Sequence, residues 1–67
     1  MKYVAKDNDE VIVDVVQAKK DTTIDTVDGD ALVTKGNYIA TILSEWRKGK
    51  QFGITEADLN RQYVKSK

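Results

Sequence analysis

The chain contains no cysteine and no histidine. Without cysteine there is no disulfide framework and no thiolate metal site, and without histidine the usual general base and the commonest metal ligand are missing. Long apolar runs are also missing. Nothing approaches the roughly 18 consecutive residues that cross a bilayer, and the opening Met1-Lys2-Tyr3-Val4-Ala5-Lys6-Asp7 lacks the layout of a secretory signal. The four glycines, Gly29, Gly36, Gly49 and Gly53, are scattered as turn residues and form no phosphate-cradling loop. Ser44, Ser66 and the threonines have no histidine to activate them, and Glu45 and Glu56 have no implied proximity. The composition therefore points to a soluble cytoplasmic protein that is not an enzyme and carries no cofactor and no metal.

With 67 residues the chain makes a single domain, residues 1–67. A domain of this size buries only about 60% of the surface its unfolded form exposes, so its stability margin is small. The formal charge is zero, but its distribution is not even: residues 1–34 carry 4 lysines against 8 acids, and residues 35–67 carry 7 Lys and Arg against 3 acids. Two readings follow. The opposite charges meet across the fold as an ordinary solvated surface, or the second half presents a basic face to an acidic partner.

Val11-Ile12-Val13-Asp14-Val15-Val16 is β-branched at five of six positions, and Thr22-Thr23-Ile24-Asp25-Thr26-Val27 continues the bias. Such side chains are restricted in helices and pack well on pleated sheets. Residues 7–20 also carry helix signals, with Asp7 and Glu10 spaced as a capping pair, but the valine-dense interior favours strand. Asp28-Gly29 is a preferred pair for a two-residue hairpin turn, and it predicts pairing of Thr26 with Ala31 and of Ile24 with Val33. Lys35-Gly36-Asn37 is a second turn signal, which would set Val33 opposite Ile39 and extend an antiparallel meander.

Tyr38 to Lys50 supports two incompatible structures. As a helix it places Ile39, Ile42, Leu43 and Trp46 on one face, with Asn37 as N-cap and Gly49 beyond the C-terminus; as a strand it alternates Tyr38, Ala40 and Ile42 against Ile39, Thr41 and Leu43. The flanking turn signals favour a long strand running into a basic turn. Trp46-Arg47-Lys48-Gly49-Lys50-Gln51-Phe52 interleaves aromatics with cations, as nucleic-acid binders do. The same run also reads as two core aromatics of a small domain flanking a polar turn. In either case Tyr38, Trp46, Arg47, Lys48 and Lys50 are the candidate contact residues, for a protein partner or for nucleic acid.

The C-terminal signals agree. Thr55 as N-cap puts Asp58 at N3 and places Ile54 and Leu59 as a hydrophobic staple, while Glu56 and Asp58 lie in the first turn and Arg61 and Lys65 near the end. A helix from Thr55 to about Val64 is predicted, docked on an apolar surface because it is too short to stand alone in water. The acidic clusters Asp7-Asn8-Asp9-Glu10 and Asp25, Asp28, Asp30 match no calcium loop, since position twelve from Asp7 is Ala18.

Thr26 to Ile39, with its acidic-Gly turn and Lys35-Gly36-Asn37-Tyr38-Ile39, resembles small phage and prophage proteins that carry a Pro-Gly-Asp-Tyr-Ile motif. Those proteins continue to a Gly-Glu-aromatic turn, a short strand and a Phe-x-x-x-Tyr helix; Glu45-Trp46, Phe52-Gly53-Ile54 and Leu59-x-x-x-Tyr63 follow here in that order. The similarity is collinear over most of the chain. It departs at Lys35 for Pro, at Asn37 for Asp, in the missing Gly before Glu45 and in an extension over residues 47–51. The resemblance implies a small β-rich fold and no established activity. A shorter stretch, Tyr38-x-x-x-Ile42-x-x-x-Trp46 followed by Arg47, Lys48 and Lys50, is similar to the helical C-terminal motif of DnaD-type replication initiation proteins, which implies DNA binding.

These signals together predict an α+β domain: a small bent antiparallel β-sheet or open barrel of four to six strands with one C-terminal α-helix. Its core is expected to draw on Leu32, Val33, Ile39, Ile42, Trp46, Phe52, Ile54, Leu59 and Tyr63. The expected function is that of a non-catalytic phage or mobile-element accessory protein in the bacterial cytoplasm that binds a host or phage macromolecule. A partner protein, nucleic acid and self-association are the binding modes in view, the last because complementary halves and edge strands favour it; no membrane partner is expected.

Overall fold

A computed structural model describes residues 1–44 and 48–66. It is an α+β fold of seven strands and one helix: β1 (Lys2–Ala5), β2 (Asn8–Gln17), β3 (Thr22–Thr26), β4 (Gly29–Val33), β5 (Tyr38–Ile42), β6 (Gln51–Ile54), α1 (Glu56–Gln62) and β7 (Tyr63–Lys65). Five strands form one antiparallel sheet in the order β6-β5-β2-β1-β7, and β3 and β4 form a separate two-stranded ribbon. The larger sheet does not close on itself, since β6 and β7 remain its two edges.

β2 organises the sheet. It pairs with β1 on one side and with β5 on the other, and its period-two alternation sends Val13 and Val15 inward, at 0% and 4% exposure. Register places Val13 beside Tyr3 and Ile42, and Val15 beside Ala40. Helix α1 covers this face through Leu59, completing a core of Val13, Val15, Ala40, Ile42 and Leu59 with Tyr3, Tyr38, Phe52, Ile54 and Tyr63 packed around it. Ile39 points to the other side of β5 and joins Ala18, Ile24 and Val33 in a second cluster beneath the ribbon. Because β5 is covered on both sides at Ile39 and Ala40, its apolar residues do not alternate cleanly with polar ones, and this is why period alone could not separate strand from helix there.

Tyr38–Ile42 is a strand, so the helical alternative does not hold for these residues. The strand is shorter than the long one expected: Leu43 lies beyond it, although its N–H still donates to the Ile12 carbonyl at 2.9 Å. The expected meander is also corrected, because β4 does not pair with β5. The turn over residues 34–37 is closed by the Asn37 N–H donating to the Thr34 carbonyl at 3.1 Å, with Gly36 at φ +96. It is clamped onto Ala18 rather than onto β4: Gly36 N–H donates to Ala18 O at 3.0 Å and Ala18 N–H to Asn37 O at 2.8 Å. That clamp delivers β5 to the free edge of β2, where five residue pairs form and Val13 and Val15 are sealed.

The β3–β4 hairpin forms as expected, but with its register moved by two residues. Thr26 pairs with Gly29, Ile24 with Ala31 and Thr22 with Val33, leaving Val27 and Asp28 as the turn. Gly29, at φ +113, therefore follows the turn instead of lying within it, as in turns closed by a left-handed glycine. The Thr26 hydroxyl secures this arrangement, accepting from Asp28 N–H at 3.2 Å and donating to the Gly29 carbonyl. A two-residue change preserves facing, so Ile24 and Val33 stay inward. The same alternation turns Leu32 outward, to 63% exposure, which removes it from the expected core.

Thr55 caps α1, its hydroxyl accepting from Asp58 N–H at 3.2 Å, with Glu56 and Asp58 in the first turn and Arg61 in the last. The helix stops at Gln62 rather than near Val64. The free outer edge of β1 takes the next residues as β7, pairing Tyr3 with Lys65, Val4 with Val64 and Ala5 with Tyr63. Bonds from Lys6 N–H to Gln62 O (2.9 Å) and from Ser66 N–H to Lys2 O (2.8 Å) extend that pairing, and strand hydrogen bonds at an available edge outweigh another helical turn exposed to solvent. Of the expected core, Val33, Ile39, Ile42 and Leu59 are buried, and Phe52, Ile54 and Tyr63 are partly buried against them. Trp46 lies outside the described residues.

Candidate functional site: the charged tip and the groove between β4, β6 and α1

The loop between β5 and β6 is pinned at its base. Ile42 N–H donates to Lys50 O at 2.8 Å and Gly49 N–H donates to Ile42 O at 2.8 Å, with Gly49 at φ +91. Lys48 is therefore held exposed in a turn at this end of the sheet. Lys50 points across to the ribbon, where its Nζ lies 3.0 Å from Asp25 Oδ2, the lysine side chain being partly and the aspartate largely solvent-exposed.

Register explains why that carboxylate is waiting. Asp25 stands directly opposite Asp30 on the outward face of the ribbon, and Asp28 occupies the turn beyond them. Like charges directly opposite one another repel, and Lys50 offsets part of that repulsion. The two halves of the chain thus do meet in opposite charge here.

Of the five candidate contact residues, Tyr38, Lys48 and Lys50 are described, and Tyr38 lies apart from the two lysines. Tyr38 is half-buried against the main core at the far end of β5, four strand steps or about 13 Å from Ile42, where the basic turn begins. Lys48 is exposed at the tip and makes no ion pair among the described residues, Lys50 is paired with Asp25, and Trp46 and Arg47 lie outside the described residues. Among the described residues, no three Asp, Glu, His or Cys side chains converge in a way that could hold a metal ion, which includes the two acidic clusters picked out in the sequence.

A feature not anticipated from the sequence lies beside the ribbon. An open groove of about 420 Å³ runs between β4, β6 and α1; Phe52 and Ile54 form its apolar floor and Thr55, Asp58 and Gln62 lie along its helical side. Leu32 stands at its lip with most of its side chain in water. Gly53 lets the two walls approach: a Cβ placed there would lie 2.9 Å from Val33 Cγ2. Alternation was the signal that could have revealed this lip, since Leu32 and its neighbour Val33 cannot both face inward on one strand.

No helix among the described residues is long and apolar enough to cross a membrane. No protein-family profile matches the chain, and no curated protein or solved structure is significantly similar to it.

Proposed function

We propose that this chain is a non-catalytic accessory protein, of the phage or mobile-element type implied by its collinear resemblance, acting in a bacterial cytoplasm by binding another protein. The observation that carries the reading is the groove between β4, β6 and α1. It has an apolar floor, a polar helical side and an exposed leucine at the lip, the build of a site that takes an apolar anchor from a partner and orients it with hydrogen bonds. The outer edge of β4 pairs with no described strand, so an extended partner segment finds backbone donors and acceptors beside the same groove.

The nucleic-acid reading is less well supported. Phosphate binding depends on an uncompensated cluster of cations, whereas Lys50 is engaged by Asp25, and Asp28 and Asp30 stand close by. Ile42, a member of the DnaD-like motif, is buried in the sheet at 4% exposure.

The test uses the whole chain. Cross-linking in the host followed by purification of the captured protein should give a partner whose affinity for the chain falls at least about tenfold with Leu32→Asp, a substitution in the groove lip that leaves the core intact. Fluorescence anisotropy with single- and double-stranded DNA at low salt is the second arm. Binding there that weakens with salt and with Lys48→Ala, together with no effect of Leu32→Asp on any captured protein, would replace the reading with DNA binding.

A further inference from the structure

Among the described residues, the face of the five-stranded sheet turned away from α1 is only partly covered. Alternation and register arrange it in rows across the strands. One row runs Val64, Val4, Ile12 and then Leu43, placed by its N–H bond to the Ile12 carbonyl; the next runs Lys2, Asp14 and Thr41. The ribbon covers this face around Ile39 and no further among the buried residues. Val64 is 48% exposed and Val16 is 53% exposed, while Val4, Ile12 and Leu43 are half-buried.

The geometry points to a second copy of this chain as the occupant of that face, related by a two-fold axis parallel to the strands and running between β1 and β2. Under that operation β1 lies over the other copy's β2, and β7 lies over its β5. Val4 then stacks on the partner's Ile12, Val64 on the partner's Leu43, and Lys2 faces the partner's Asp14, each contact being made twice. The charges argue for this pairing. Lys2 makes no ion pair among the described residues although it is directly across from Asp14. Asp14 offers the N-terminal ammonium only Oδ1, at 3.0 Å, which leaves Oδ2 for a second cation. An open aliphatic row beside a charged row that complements itself under a two-fold axis is a self-matching surface. The inference does not depend on the proposed function.

The dimer is weak. Four strands about 4.8 Å apart and five residues of about 3.4 Å present a flat patch of about 300 Å², well short of the ~800 Å² per partner of a standard interface. Sedimentation equilibrium should therefore show the apparent mass rising from monomer towards dimer between about 20 μM and 1 mM.

Val64→Lys should abolish that rise while circular dichroism and the thermal midpoint report an intact fold. Charge reversal supplies the sharper arm. Lys2→Glu alone sets Glu against Asp14, and Asp14→Lys alone sets Lys against Lys2, so each variant should be monomeric over the same range. An equimolar mixture of the two variants makes both cross-interface pairs attractive and should restore association. A monomer at every concentration, a dimer that survives Val64→Lys, a mixture no more associated than its components, or a dimer broken by Leu32→Lys but not by Val64→Lys would each overturn the proposal.

Discussion

Gly53→Ala tests the packing of the ribbon on β6, and its outcome should change sign with the residue opposite. Gly53 is a strand residue outside the left-handed region, so an alanine costs no backbone strain there. In isolation it should stabilise the protein by about 0.4–1 kcal/mol through the unfolded chain. The new Cβ would, however, lie 2.9 Å from Val33 Cγ2, against an optimum carbon separation of about 3.5–4.0 Å. Val33 is 4% exposed, confined by Ala18, Ile24 and Ile39 and stiff at χ1. It has little room to retreat, and overpacking of this kind costs about 1–3 kcal/mol. The net expectation is a loss of about 0.5–2 kcal/mol, with the thermal midpoint moving by about 4–8 °C per kcal/mol in a domain this small. Val33→Ala alone should cost about 2 kcal/mol for two buried methyl groups and the space they leave. In the Val33→Ala background the offending methyl is gone, and Gly53→Ala should become stabilising. Urea or thermal unfolding of the wild type, both singles and the double variant closes the cycle. A coupling within about 0.5 kcal/mol of zero, or a Gly53→Ala variant more stable than wild type, would refute the close approach of ribbon and sheet.

Three further experiments probe the other contacts. Leu59→Ala removes the buried anchor of α1, at 2% exposure; a loss of about 2–5 kcal/mol from a domain holding only about 3–10 kcal/mol should leave a large unfolded population, visible as lost cooperativity in a denaturant titration. Thr55→Ala removes the hydroxyl that accepts from Asp58 N–H and should cost about 1 kcal/mol, whereas Thr55→Ser should cost much less, both read from urea midpoints. A double-mutant cycle on Lys50 and Asp25, an exposed pair 3.0 Å apart, should give a coupling below about 1 kcal/mol that disappears in high salt; a coupling that persisted at 1 M salt would mean the pair is more enclosed than its exposure indicates.

Much of the fold was legible because burial leaves a periodic trace. The valine-dense run from Val11 to Val16 read as a strand because one face had to hold Val13 and Val15. The helix after Thr55 read correctly at its start because a cap, a first-turn acid and a staple all converge on the same residues. Its end was not legible. Whether Tyr63 and Val64 continue the helix depends on β1 offering a free edge more than fifty residues earlier in the chain, and nothing local encodes that. The pairing of β5 had the same character: the turn at Gly36 was recognisable, but its clamp to Ala18, which diverts the next strand from β4 to β2, is a long-range contact between backbone groups that any residue supplies.

The candidate site follows the same division. That Leu32 must face away from Val33 was written in the alternation of β4, whatever the register of the hairpin, and Asp25 and Asp30 share one outward face in both the expected and the observed register, which differ by two residues. That this face comes to lie beside Lys50 was not written anywhere near either residue. The opposite charges of the two halves implied a meeting without naming the participants, and an exposed pair contributes too little to select a fold. The force that brings them together is the burial of Ile24 and Val33 against Ile39 and Ala18, which seats the ribbon on β6 and carries Asp25 to Lys50 as a consequence. On this view, removing the ion pair should leave the ribbon in place, whereas Ile24→Ala should detach the ribbon and separate Asp25 from Lys50. Amide exchange across β3 and β4 distinguishes the two: protection retained in Lys50→Ala and lost in Ile24→Ala supports packing as the cause, and loss in both would give the charges the larger share.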